Sequence, residues 1–131
     1  MNISQAAHLS RISAKMIRYY ENIGLLPKVA RSHTGYREYF PVDIERLKFI
    51  YQARQLGFSL DTIKTLLQLQ QDQHRRSADV KYIAQQHVDE LENKIQKMQA
   101  MVKHLKLLIQ DCAGDQTPDC VILNKIQQED I

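Results

Sequence analysis

Cys112 and Cys120 are the only cysteines in 131 residues, and they bracket one short loop, AGDQTPD (113–119). Two thiols so spaced support two kinds of chemistry. As thiolates they clamp one soft metal ion, and when oxidised they join to each other. Soft thiolates favour Cu(I) and its heavier congeners Ag(I) and Au(I), and a d¹⁰ monovalent ion accepts two sulfurs in a near-linear arrangement. Zinc would normally demand four ligands. With no third cysteine, only Asp115, Asp119 and the five histidines remain as candidates for the other two. Gly114 and Pro118 give the loop the bend that turns both sulfurs inward.

The loop must be carried by the element before it. Residues 78–111 contain no Gly or Pro, which predicts one long helix ending at the loop. Val88, Ile95, Val102 and Ile109 fall on one seam position of a heptad, and Leu91, Met98 and Leu105 on the other. A helix of that length, about 50 Å, hides such a seam only against a partner. A homodimer is therefore expected, with helix direction left open by the heptads. Met98 lies on the seam and Met101 is mid-helix, so both are expected to pack rather than to ligate. His8, His33, His74, His87 and His104 have no pair at a ligand spacing near the loop and are expected to be solvated.

The front of the chain is built differently. Residues 3–10 (ISQAAHLS) read as a short helix; Ser13 then caps a second, AKMIRYYENI, which Gly24 stops. Two short helices across a tight turn form a helix-turn-helix pattern over 3–23. Met16, Ile17 and Tyr20 share one face of the second helix, while Lys15, Arg18 and Tyr19 project from the other. An outward face of two cations and an aromatic suits a DNA major groove. Residues 28–40 (KVARSHTGYREYF) place two β-prone arms around His33-Thr34-Gly35 and predict a hairpin wing carrying Arg31, Tyr36, Arg37 and Tyr39. Tyr39 is read as completing a small core. Pro41 opens a helix to about Leu56, Gly57 ends it, and Ser59 caps another with apolar Leu60, Ile63, Leu66, Leu67 and Leu69.

Charge follows the same division. Residues 1–76 carry 12 Lys/Arg against 6 Asp/Glu, whereas residues 77–131 carry 6 against 9. A basic front suggests a polyanion partner. No apolar run approaches the roughly 18 residues that span a bilayer, and MNISQAAHLSRIS lacks the layout of a secretory leader. No membrane partner and a cytoplasmic location are expected. In that reducing compartment a lone cysteine pair reads as metal-binding or redox-sensing rather than as a permanent staple. No nucleophile–base–orienter set, phosphate-cradling glycine loop or zinc-hydrolase helix is found, so an enzyme is not expected.

Together these residues resemble the MerR family of transcription regulators over nearly the whole chain. MIRYYENIGLL (16–26) is similar to the family's recognition helix and its exit, GYREY (35–39) to its wing, and DIERLKFIYQARQLGFSLDTI (43–63) to its second helix pair. Within that family, SADVK (77–81) with CAGDQTPDC (112–120) resembles the copper-efflux regulators, the branch sensing monovalent copper, silver or gold. The resemblance implies a mainly helical, all-α fold. A winged helix-turn-helix DNA-binding domain occupies 1–76, with a β-hairpin wing at 28–40 and a second helix pair at 42–72. An antiparallel coiled-coil dimerisation helix follows at 77–111, then a metal-binding loop and short C-terminal helix at 112–131.

The same resemblance implies promoter DNA and RNA polymerase as partners, with the metal-bound dimer distorting a promoter so that polymerase engages it. It assigns DNA contacts to Ser13, Lys15, Arg18, Tyr19 and Tyr20, and phosphate contacts to Arg31, Tyr36, Arg37 and Arg54. Cys112 and Cys120 are the implied metal ligands. Divalent-ion sensors of the family have cysteine where this chain has Ser77, and antiparallel helices bring the partner's residue 77 beside the loop. Two thiolates and one monovalent cation leave a charge of −1, which Lys81 and the start of the partner's long helix would offset. Ser77 is also expected to cap the long helix. Two competing readings are a thiol redox switch joining Cys112 to Cys120, and a coiled-coil metal-binding scaffold that does not touch DNA.

Overall fold

A computed structural model describes residues 1–128. Among them are six helices: α1 (Ile3–Ser10), α2 (Ala14–Asn22), α3 (Pro41–Gln55), α4 (Leu60–Gln71), α5 (Ser77–Asp111) and α6 (Val121–Gln127). None is long and apolar enough to cross a membrane. Local capping chemistry sets most of the boundaries. Asn2 and Gln5 form a reciprocal capping box at α1, each side chain accepting the other's backbone N–H at 2.9 Å. Ser13 and Ser59 cap α2 and α4 by accepting the N–H groups of Met16 and Thr62, both at 3.2 Å. Pro41 occupies the first turn of α3, where the Asp43 carboxylate accepts the Phe40 N–H at 2.9 Å. The α1–α2 turn is made by Arg11 in a left-handed conformation, φ +62°, the one non-glycine residue so placed among those described.

The chain divides into two compact units, one running from Met1 to Lys81 and the other starting at Tyr82. In the first, α1 packs on α2 and α3, and α3 packs on α4. Ala6, Ile17, Leu47, Ile50 and Ile63 are fully buried where these helices meet. Each large aliphatic side chain so buried contributes on the order of 1.5–3 kcal/mol. The small Ala6 lets α1 approach closely. Tyr39 joins this core at 1% exposure. Its backbone pairs with the start of the chain: its N–H donates to the Met1 carbonyl at 2.7 Å, and the Met1 amine donates to the Tyr39 carbonyl at 2.8 Å.

The wing departs from expectation. No strand forms among the described residues; the two arms meet in a single antiparallel bridge, Arg31 to Arg37. Two hydrogen bonds flank it, Ser32 N–H to Tyr36 O at 2.7 Å and Glu38 N–H to Ala30 O at 2.8 Å, and Gly35 turns the loop at φ +85°. Arms this short, paired only with each other, do not extend into a ladder. The expected β-hairpin is thus corrected to a bridged loop.

In the second unit α5 continues as an unbroken helix to Asp111, so the full element has 35 residues. The seam residues Val88, Leu91, Ile95, Met98, Val102, Leu105 and Ile109 are all exposed within one chain, whereas Leu108 is buried. Met98 and Met101, expected to pack, are exposed here as well. At its start, Ser77 is the first helical residue rather than the flanking cap. The cap expected of it is corrected; Arg76 precedes the helix and pairs with Asp79 at 2.9 Å. The last three residues of the 112–131 segment lie outside the described residues.

Candidate functional site

The outer face of α2 carries the residues that the spacing placed there. Lys15, Arg18 and Tyr19 are exposed, and so is Ser13 at the cap. Ile17 and Tyr20 point inward, at 0% and 6% exposure. Tyr20 is therefore a core residue, and its expected role as a base-contacting ring is corrected. At about 100° per residue, position 20 follows 17 onto the buried side while 15, 18 and 19 stay outside. Met16, assigned to the inner face with them, lies at the edge and is exposed.

The wing and α2 together line a cleft of about 420 Å³. Arg18 comes from α2, Arg31, Gly35, Tyr36 and Arg37 from the wing, and Asn2 and Ile3 from the start of α1. Three arginines and an exposed tyrosine on one concave surface offer an array of N–H donors suited to phosphate oxygens. Arg31 also folds over its own turn, donating to the Gly35 carbonyl at 2.9 Å. Arg37, expected to contact phosphate, also makes a contact within the fold: its Nε donates to Glu21 Oε2 at 2.8 Å. Glu21 was not singled out from sequence. The available signal was an acid three residues after Arg18, on the same face of an otherwise basic helix. Arg54 is absent from the cleft lining; it donates to the Phe58 carbonyl at 3.0 Å and closes the turn after α3.

Tyr39 lies buried with its hydroxyl lacking a hydrogen-bond partner in the described structure. Burial, then the nearby Glu21 carboxylate, push its pKa up, while Arg37 and Arg18 pull it down. The charges of α2 and the wing thus meet over one ring.

The cysteine loop spans the gap between α5 and α6. Cys112 extends the last turn of α5, its N–H donating to the Ile109 carbonyl at 3.2 Å. Cys120 is the residue before α6 in extended conformation. Both are half-buried free thiols. The backbone N–H of Leu123 holds the Cys120 thiol below its ordinary pKa, aided by Ile122 and by a hydrogen bond with Cys112, against burial, which raises it. Gly114 turns the loop at φ +64°, with open space around its Cα. Asp115 accepts from the Thr117 N–H at 2.9 Å and from its hydroxyl, which draws the Asp115 pKa down.

Among the described residues no group of three or more His, Cys, Asp or Glu side chains converges as a metal cage. Two free thiols at the two ends of one short loop, one of them with a lowered pKa, fit a soft ion of low coordination number. Ser77 and Lys81 are both exposed and belong to the first unit, whereas the cysteines belong to the second. His8, His33 and His74 are exposed, and His87 and His104 are half-buried.

Comparison with known proteins covers this whole arrangement. Residues 1–70 match the model for MerR HTH family regulatory proteins, and residues 44–108 match the one described as MerR, DNA binding. The chain is 48% identical over 126 residues to heavy metal-dependent transcription regulator 2 of Rhizobium meliloti (strain 1021), covering 96% of this chain and 86% of that protein. It is 39% identical over 127 residues to the HTH-type transcriptional regulator CueR of Vibrio cholerae, covering 97% and 91%. Among solved structures, the transcription regulator PbrR691 from Ralstonia metallidurans CH34 in complex with lead(II) superposes with a TM-score of 0.84 at 29% identity, covering 96% and 98%. From its cap-defined α1–α2 pair through the long α5, the chain belongs to the MerR HTH family of regulatory proteins.

Proposed function

We propose that this protein is a metal-responsive transcription activator that binds promoter DNA as a homodimer and answers Cu(I), or its congeners Ag(I) and Au(I). The observation that carries the metal reading is the placement of Cys112 and Cys120, two half-buried free thiols, at the two ends of the short loop between α5 and α6, where backbone N–H groups lower the Cys120 pKa. Cys112 and Cys120 would hold the ion, which when bound supplies a link between the end of α5 and the start of α6. The names of the relatives, heavy metal-dependent regulators and CueR, support a metal response. Two sulfurs without a converging third donor favour a monovalent ion over a divalent one.

DNA would be engaged by Lys15, Arg18 and Tyr19 in the major groove, with Ser13 at the helix entry. Arg31, Tyr36 and Arg37 would meet phosphates beside it. The exposed seam from Val88 to Ile109 supports pairing with a second copy. In an antiparallel pair the partner's residues 77 and 81 would lie near the cysteine loop. Ser77 would then add no sulfur, and Lys81 would offset the anionic centre. Ordering of the loop would change the geometry of the DNA-bound dimer so that the distorted promoter is engaged by RNA polymerase in the cytoplasm.

The test is a reporter assay across Cu, Ag, Au, Zn and Hg salts, paired with titration of the reduced protein by Cu(I). Activation by the coinage metals with one ion per two-cysteine loop is expected. Cys112→Ser or Cys120→Ser should abolish the response while DNA affinity stays within about twofold of the parent. Lost DNA binding would instead make the loop structural.

The proximity of two free thiols also favours a second reading. A peroxide could oxidise them, with two thiols and one hydrogen peroxide giving a disulfide and two waters. Stoichiometric Cu(I) binding by the reduced protein with matching activation would remove it.

A further inference from the structure

We propose that Glu21 is a positioning residue for DNA binding: it holds the Arg37 guanidinium by one edge so that the other edge meets a phosphate. This rests on the DNA-binding reading above and adds to it a role for an acidic side chain that no phosphate would attract.

The Glu21 side chain is 9% exposed and the Arg37 side chain 24%. A carboxylate in that position costs desolvation, and the other charged residues of its helix, Lys15 and Arg18, are cationic. Such a group repels a polyanion unless a cation answers it. Arg37 does so through Nε alone, at 2.8 Å. A guanidinium has five N–H donors in a rigid fork. With Nε–H committed to Glu21, the two terminal nitrogens remain, and Arg37 lines the cleft shared with Arg18 and Arg31. A lysine has its three donors on one nitrogen, so it would draw carboxylate and phosphate to the same point instead of holding them on two edges of a rigid fork.

The wing needs such a fastening. Its arms are joined by one bridge and two flanking hydrogen bonds rather than a ladder. The Glu21–Arg37 pair ties that loop to α2 across 16 residues of sequence. It thereby fixes the spacing between the helix that would read bases and the loop that would grip phosphates. Rigid placement of both saves ordering cost at binding.

The experiment uses the full chain, reduced and free of metal, and a duplex that the wild-type protein recovers from a random-sequence pool. Affinity is measured as a function of salt. Glu21→Ala should weaken binding on the order of tenfold and lower the slope of log K against log salt by about 0.9, the loss of one phosphate contact. A merely structural loss would weaken binding without moving the slope. On an Arg37→Ala background, Glu21→Ala should add less than twofold, because its effect passes through Arg37. Should Glu21→Ala fail to fold, Arg37→Lys carries the test: it should bind within twofold of Arg37→Ala. Tighter binding by Glu21→Ala, an unchanged slope, additive losses in the double variant, or wild-type affinity for Arg37→Lys would each overturn the proposal. Failure of the wild-type chain to recover any duplex would overturn the DNA-binding reading itself.

Discussion

Asp115 and Thr117 lock the cysteine loop by a double hydrogen bond. One carboxylate oxygen, Oδ1, accepts both the Thr117 N–H, at 2.9 Å, and its hydroxyl. Together with Gly114 at φ +64° this turns the chain back between Cys112 and Cys120. Loops that must bring two ligands together lose affinity when their closed form is rarely populated. Asp115→Ala is therefore expected to weaken Cu(I) binding on the order of threefold to tenfold by chelator competition, with little change in the folding of α5. Affinity equal to the parent would mean that the turn does not organise the sulfurs.

The same pair has a defined pH dependence. Hydrogen bonds from the Thr117 side chain and backbone hold the Asp115 pKa below its ordinary value of about 3.9. The turn's stability is thus fully present above that value and is lost as pH falls through the lower folded one. The Thr117 amide resonance should stay in place down to about pH 4 and move only below it. Movement centred near neutral pH would assign the change to another group.

How legible these features were depended on how local their causes are. Ser13, Ser59, Pro41 and Gly24 act within a few residues, so the ends of α2, α3 and α4 could be read directly from side-chain type. The length of α5 followed from an unbroken absence of Gly and Pro. β-Propensity in KVARSHTGYREYF predicts a hairpin but says nothing about whether two short arms find enough partners to form strands. Glu21 and Arg37 lie 16 residues apart, and Arg54 reaches a carbonyl in the following turn; such pairings depend on tertiary placement. Helical periodicity did sort α2 correctly at Ile17, but Tyr20 was assigned to two faces and only packing decided between them. The left-handed Arg11 had no sequence signal, because glycine or asparagine is the usual occupant.

Arg18 and Arg54 separate groove contact from structural support. Arg18 is exposed on α2 and lines the cleft, so Arg18→Ala should weaken specific DNA binding by about 1–3 kcal/mol with thermal stability unchanged. Arg54 donates to the Phe58 carbonyl at the end of α3. Arg54→Ala should instead lower the melting temperature by a few degrees, the loss of roughly one hydrogen bond. Fluorescence anisotropy on a selected duplex and thermal unfolding together read both quantities. Equal effects of the two variants on affinity would place Arg54 on the DNA as well.

Val102 tests the seam. It is exposed within one chain, as are Ile95 and Leu105 on the same helix. In a homodimer Val102→Lys removes two apolar burials and inserts two charges, so the dissociation constant should rise on the order of 10²-fold or more. Sedimentation velocity at micromolar protein should show the parent as a dimer and the variant dissociating. A parent that sediments as a monomer would refute pairing through α5.

Ser77 tests whether the long helices run antiparallel. It is the first residue of α5 and exposed, and its hydroxyl is a poor ligand for soft ions. Ser77→Cys adds a thiol without altering the two in the loop. If the partner's residue 77 lies beside Cys112 and Cys120, three sulfurs then converge, and a divalent ion such as Pb(II) or Zn(II) gains the donor that two thiolates alone do not provide. Divalent affinity should rise at least tenfold by chelator competition, with a lead–thiolate charge-transfer absorbance stronger than the parent's reporting the added sulfur. A variant that binds Pb(II) and Zn(II) no better than the parent, while remaining dimeric, would separate residue 77 from the metal loop and with it the antiparallel pairing.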